Sequence, residues 1–382
     1  MSAISYKGIT LDRKAVEVTV SGSRISEVRE IPFDSELPRI LPPLVDLQHN
    51  GALGHAFNRL AGDAGTALRT IGTHLLRNGV CRVLATFPTA PYENLMRAAE
   101  AIGNVLDDDA ELNKLFCGIF HEGVFISPDA GWRGGHKVEY IMPPDWEKFS
   151  SLNRISGNRV KMVNVAPEVE GCMKFIEKAS ENGILVALGH CHPDSETIHQ
   201  AADRGARVVT HFANGAAPDI HRFKNPFWGF LADERLSLGL VGDGFHLPKE
   251  VTQVAVKVKG ASNCFMVSDA NIFSGCKPGV YQRVGGMDCQ IEANGFIHVV
   301  DSEILAGAWF QNNRSADYLV NVCGMDFETA WCMCSTVPAK IAGIEVPALA
   351  KGEEASFVIA RGTEILKTVF CGKEYAPSDE TL

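Results

Sequence analysis

The chain has 382 residues, 46% of them hydrophobic and 21% charged, with a formal net charge of −10. That much apolar material excludes a disordered chain, and the acidic balance argues against a general nucleic-acid or anionic-membrane surface, since both favour a basic face. No apolar run reaches the roughly 18–20 residues of a spanning helix. The opening Met1-Ser-Ala-Ile-Ser-Tyr-Lys7 lacks the basic-then-apolar pattern of a signal peptide. Eleven cysteines with no C-x-x-C read as reduced core residues, so the expected compartment is the cytoplasm.

In chain order, residues 1–40 predict short strands at Ala15–Val20 and Arg24–Val28. Eight apolar runs follow: Leu44–Leu47, Val80–Thr86, Leu115–His121, Val160–Val165, Ile184–Gly189, Ala206–His211, Leu236–Val241 and Cys264–Ser268. Most lack polar alternation, as expected for strands buried on both faces. Helical spacing lies between them at Thr66–Arg77, Tyr92–Leu106, Cys172–Asn182, Glu196–Arg204 and Lys249–Val258. Asn78-Gly79, Asn182-Gly183 and Arg204-Gly205 are helix stops. Gln311–Cys323 and Phe327–Ser335 predict helices that close the array, and Ser356–Ala360 and Ile365–Phe370 predict two last strands. Alternating strands and helices imply a parallel sheet, and eight of them an α/β (β/α)8 TIM-like barrel over 41–343. The two chain ends, 1–40 and 344–382, are expected to form a small β-sandwich domain.

Barrel chemistry sits at the C-terminal ends of the strands. There the sequence gathers Asp46-Leu-Gln48-His49-Asn50, His121-Glu122, His190-Cys-His192, His211-Phe-Ala-Asn214, Asp243-Gly-Phe-His246 and Asp269. One Glu and two His from different strands suit a zinc-like ion with an open position for water. A carboxylate off the metal, Asp269, is placed to take the water's proton and return it to a leaving amine. Read blandly, a lone His is a packed or solvated residue, Asp269 a helix cap and Arg222 a surface arginine. His192 before Pro193 and His121 opposite Glu122 read as structural, and Cys191 has no assigned base.

In order along the chain, Leu188-Gly-His190, Thr210-His211-Phe-Ala-Asn214, Asp243-Gly-Phe-His246, Val267-Ser-Asp269-Ala and Leu305-Ala-Gly307 resemble the N-acetylglucosamine-6-phosphate deacetylase family of the amidohydrolase superfamily. The resemblance runs from Leu41 to Ser356. It implies Glu122, His190 and His211 as metal ligands, Asp269 as catalytic acid/base, and His136 as a substrate contact polarising the amide carbonyl. It further implies substrate contacts at Asn214, Gly215, Asp243, His246, Leu305, Ala306 and Gly307, and a phosphate-binding role for Arg222. A cytoplasmic homodimer is implied too, because the family's site is often completed across the subunit interface.

Two departures bear on these expectations. Many amidohydrolases carry H-x-H after the first strand. Here Gln48-His49-Asn50 offers only a middle His, which an extended strand turns away from its neighbours. One divalent ion is therefore expected, zinc first, with Fe, Co or Mn as other fits. The segment Pro218–Trp228 replaces the family's short Arg-Glu-Pro-Gly turn, and the 123–136 loop is long. Both fall where a sugar phosphate is recognised, so N-acetylgalactosamine 6-phosphate or another N-acyl compound stays open as the substrate. A non-catalytic binding barrel is the distant alternative.

Overall fold

The computed structural model describes residues 3–282, 288–302 and 304–377. The last five residues of the expected 344–382 segment lie outside them. Eight parallel strands form one sheet. Strands 1 to 4 are Leu44–His49, Val80–Thr86, Phe116–His121 and Val160–Val165, and strands 5 to 8 are Leu185–Leu188, Ala206–Val209, Ser237–Val241 and Cys264–Val267. They neighbour one another in sequence order. Strands 1 and 8 close the ring through a bridge at His49 and Ala270 rather than a continuous ladder. This is the expected (β/α)8 barrel.

Its interior is filled by Val45, Leu47, Leu84, Phe120, Met162, Ala187, Val208, Phe265 and Val267, all buried. The outer faces of the strands pack against the helices. Helix Ala64–Arg77 buries Leu68, Ile71 and Leu75, and helix Tyr92–Asp108 buries Leu95, Ala98 and Ile102 at the same three-to-four-residue spacing. The first of these stops at Asn78 and Gly79, whose φ of 82° is the left-handed turn that glycine allows at little cost. The closing helix is shorter than expected. Asn312–Asp317 is followed by a widened turn in which Cys323 N–H reaches the Tyr318 carbonyl at 2.9 Å.

The chain ends share a seven-stranded sheet, Ile4–Ile9, Ala15–Ser21, Arg24–Glu30 and Arg39–Leu41 with Phe357–Arg361, Glu364–Phe370 and Lys373–Tyr375. It curls until Ile25 and Ala355 exchange backbone bonds with Glu353 and Ser23 at 2.9 Å each. The two layers so formed enclose Tyr6, Val18, Val20, Ile25, Phe357 and Val369. A three-stranded antiparallel insert, Gly279–Tyr281, Cys289–Ile291 and Ile297–Val299, was not foreseen from the sequence. It packs on Ile272 and Phe273 and delivers the segment 304–307 to the barrel mouth. No helix among the described residues is long and apolar enough to cross a membrane.

Candidate metal and substrate site

Glu122, His190, His211 and Asp269 all follow strand ends, and all four are buried. His190, His211 and Asp269 hold φ of 51°, 28° and 48°, with Val124 at 89° and Ala213 at 68° beside them. Non-glycine residues take this left-handed region rarely, and such outliers gather where function over-determines the backbone. Each strand thus breaks as it leaves the sheet, and its polar side chain turns over the barrel mouth.

The imidazoles converge. His190 Nε2 lies 2.9 Å from His211 Nε2 and 3.2 Å from His136 Nε2. Glu122 Oε1 lies 3.3 Å from His211 Nε2 and 3.6 Å from His190 Nε2. Ligand atoms of Glu122, His136 and His190 also fall within 4.8 Å of one another. Hydrogen bonding separates the roles of His190 and His136. His190 Nδ1 faces the Trp132 carbonyl at 3.1 Å, an acceptor only, so Nδ1 carries the proton and Nε2 offers a lone pair. His136 Nδ1 accepts the Thr89 backbone N–H at 3.3 Å and faces Thr89 Oγ1 at 2.9 Å, so its proton sits on Nε2. His136 therefore presents a donor to the centre, where His190 presents an acceptor. Lone-pair nitrogen, a buried carboxylate and crowded Nε2 atoms form a donor set that fits one divalent cation.

The charges agree with that fit. Burial works to raise the Glu122 carboxyl, but His190, His211 and His136 outweigh it and hold Glu122 well below the usual range. Burial likewise opposes charge on His211, yet Glu122 and Asp269 raise its pKa. Asp269 is pushed up by burial and then by Glu122. Two buried carboxylates that share one amide group, Gln48 Nε2, ask for a positive partner.

Gln48 was expected only as the place of a missing ligand, and its contacts were not foreseen. Its Nε2 donates to Glu122 Oε1 at 2.8 Å and to Asp269 Oδ1 at 3.4 Å, and its Oε1 accepts from Thr210 Oγ1 at 2.7 Å. Asn50 donates to Asp269 Oδ1 at 2.9 Å and Asn214 to Oδ2 at 3.3 Å. Three amide side chains thus hold the Asp269 carboxylate. A signal existed in the sequence, since three polar residues follow a buried strand, but only the joined strands reveal their partners. His49 turns away as expected. It bonds Gln311 at 2.9 Å, and burial lowers its pKa to about 3.

A cleft of about 1240 Å³ opens over the centre. Its walls include Glu122, His136, His190, His211, Asn214, Gly215, Asp269 and Leu305 to Gly307. Gly215 is needed as glycine, because a Cβ there would stand 2.6 Å from His190 Nδ1. Arg59, Arg97, Arg133 and Lys137 supply positive charge on the walls. The remaining expected contacts are Asp243 and His246, which sit close enough to the centre for His246 to feel the charges of Asp269 and His211, and Arg222. Asp243 accepts the backbone N–H groups of Phe245 and His246 at 2.8 and 2.9 Å and pairs with His246 Nδ1 at 2.7 Å. The pair does not line the cleft, and neither does Arg222. Arg222 is exposed on the 216–229 segment, its guanidinium stacked 6.0 Å from the Phe223 ring. Within that segment Asn225 caps helix Pro226–Ala232.

No family model matches the chain. Among curated proteins, the N-acetylglucosamine-6-phosphate deacetylase of Bacillus subtilis (strain 168) is 27% identical over 374 residues, spanning 96% of this chain and 91% of that protein. The N-acetylgalactosamine-6-phosphate deacetylase of Escherichia coli O157:H7 is 25% identical over 350 residues, spanning 90% and 89%. In structure, the N-acetyl-D-glucosamine-6-phosphate deacetylase of Mycobacterium smegmatis, solved with N-acetyl-D-glucosamine-6-phosphate, superposes with a TM-score of 0.86. That match covers 98% of this chain and 100% of the other at 21% identity.

Proposed function

We propose that this chain, a homologue of the N-acetylglucosamine-6-phosphate deacetylases with the amidohydrolase fold, is a metal-dependent hydrolase that removes the acetyl group from N-acetylglucosamine 6-phosphate. The products are glucosamine 6-phosphate and acetate. The observation that carries this reading is the convergence of buried Glu122, His190 and His211 beside buried Asp269 at one barrel mouth. Glu122, His190 and His211 would hold one divalent ion, zinc first. Such an ion supplies a Lewis acid and an acidified water at neutral pH.

The residues supply the rest of the reaction. Asp269, fixed by Asn50, Asn214 and Gln48, accepts the water's proton as the acetamide carbonyl is attacked. His136 directs its Nε2–H at the oxygen where negative charge develops. Asp269 then protonates the departing amine. Asn214, Gly215 and the backbone of Leu305, Ala306 and Gly307 seat the sugar, all being cleft residues.

We assign the phosphate to arginine, whose planar fork suits it. Arg222 meets it across a homodimer interface, with Asp243 and His246 shaping that part of the site. Ile220, Phe223 and Trp228 are large apolar side chains left exposed around Arg222, which supports burial of this segment against a second copy. The same reading divides the chain into a small β domain, 1–40 plus 344–382, and a catalytic barrel, 41–343. Eleven cysteines free of disulfides support a reducing cytoplasm. A second reading, deacetylation of N-acetylgalactosamine 6-phosphate, is favoured by the similarity to an enzyme of that name.

The test is acetate release by the zinc-loaded chain from both sugar phosphates and from unphosphorylated N-acetylglucosamine. Turnover is expected on N-acetylglucosamine 6-phosphate, at least tenfold above the others. Absence of acetate from every compound defeats the reading, and equal rates with and without phosphate remove the role of Arg222.

A further inference from the structure

The mechanism leaves the most deeply buried carboxylate, that of Asp46, unused. Asp46 lies on strand 1, fully buried, and forms no ion pair among the described residues. Its Oδ1 accepts the backbone N–H of Gln48 at 3.2 Å and of Ser268 at 3.1 Å, and its Oδ2 accepts the Ser268 hydroxyl at 2.5 Å. Ser268 Oγ in turn accepts the Ala270 N–H at 3.1 Å and lies 3.3 Å from the Gln48 carbonyl.

These bonds sit at the seam where strands 1 and 8 share no ladder. Next to them, Asp269 N–H donates to the Gln48 carbonyl at 3.0 Å and Asn50 N–H to the Ala270 carbonyl at 3.1 Å. An uncharged acceptor or an apolar pair could close a barrel at lower desolvation cost than a carboxylate without a cation. The carboxylate instead binds Gln48, one of the general base's supports, and Ser268, the residue before that base. Gln48 reaches Asp269 directly, and Ser268 precedes it in the chain. Asp269 itself holds the φ of 48° that a regular strand would not give it.

We infer that Asp46 is a positioning residue: with Ser268 it clips strand 1 to strand 8 and so fixes Asp269 and Gln48 against each other at the reacting centre. The inference rests on the deacetylase reading for the reaction it serves. The clip itself is independent of the substrate.

Three variants test it in the zinc-loaded full chain. Asp46→Ala should lower kcat by roughly 100-fold, the scale expected when a catalytic group is misplaced by about 1 Å, with KM within about threefold and metal content unchanged. Asp46→Asn should recover to within about fivefold of wild type, because an amide oxygen still accepts both N–H bonds. Ser268→Ala removes only the hydroxyl and serves where Asp46→Ala does not fold. It should lower kcat about tenfold, as loss of one buried hydrogen bond would, and shift the acid limb of the kcat/KM–pH profile. Wild-type kcat in Asp46→Ala or Ser268→Ala overturns the inference, and so does a loss that follows lost metal or folded fraction.

Amide hydrogen exchange gives a reading free of substrate. In Ser268→Ala, protection at 48–50 and 269–271 should fall at least tenfold while strands 3 to 6 keep theirs. Unchanged protection there overturns the clip even if the wild-type chain releases no acetate. That last result, by contrast, would defeat only the assigned reaction.

Discussion

The barrel mouth and the chain-end sheet treat the backbone in opposite ways. In the sheet, Ala15–Ser21 alternates buried and more open residues as a half-covered strand should, and among its described residues only Arg13 and Cys371, both at turns, take positive φ without being glycine. At the mouth, Val124, His190, His211, Ala213 and Asp269 all do so within one site. Local rules hold where a segment only has to pack, and they yield where side chains must be aimed. The strain at the mouth is tolerated because the barrel beneath it is rigid.

That contrast predicts different responses to damage. The largest effect should come from the metal: chelation should bring acetate release down to background, with recovery on adding a divalent ion, since the ion would supply both charge and acidified water. Full activity in the chelated chain would mean that the mouth is not a metal centre. Next, Asp269→Asn should reduce kcat by roughly 10³-fold, within the range for a lost general acid/base, with the fold intact by circular dichroism.

The sheet should answer in stability instead. Phe357 is buried, with its ring 5.3 Å from Tyr6. Phe357→Ala should cost about 3–5 kcal/mol in urea unfolding, yet leave kcat of the folded fraction within twofold. A matching loss of kcat would show that the two regions are not separable.

The smallest effect concerns the pin between them. Glu328, on the closing helix Phe327–Cys334, pairs with Arg13 at 3.0 Å and Arg39 at 2.8 Å from the sheet. The Arg13 hydrogen bond, helped by Arg39, lowers the Glu328 pKa to about 2. Its folded pKa thus lies below the unfolded value of about 4.3, so its contribution is present above pH ~4.3 and lost as pH falls toward 2. The pair is partly exposed, and screening limits it to about 1 kcal/mol or less. Glu328→Gln should therefore lower stability in urea unfolding by about 1 kcal/mol or less near neutrality, make no difference near pH 2, and flatten the acid limb between them.

The eight strands were legible because barrel strands are covered on both faces and so appear as unbroken apolar runs. Their observed ends differ from the expected ones by at most two residues. The helix stops were legible through Asn-Gly and Arg-Gly. The insert at 279–299 was not, because its three strands of three residues each are too short to display a period. At the site, Glu122, His190, His211 and Asp269 could be singled out because each follows the end of a barrel strand, where the chemistry of such folds gathers. Gln48 and Asp46 could not be given roles, since their partners on other strands are 74 or more residues distant and meet only when the ring closes. Arg222 shows the limit from the other side: a motif position gives a residue's place in the chain, while what it faces depends on how its loop leaves the barrel.

One neighbour of the centre has a practical consequence. Cys191 follows His190 directly and is only 3% exposed, and burial pushes its thiol well above the ordinary value. A thiol that neither ionises nor meets solvent is a poor nucleophile. Alkylating reagents should therefore spare Cys191 in the folded chain and label it only as the barrel opens, which turns a silent residue beside the centre into a built-in clock for unfolding.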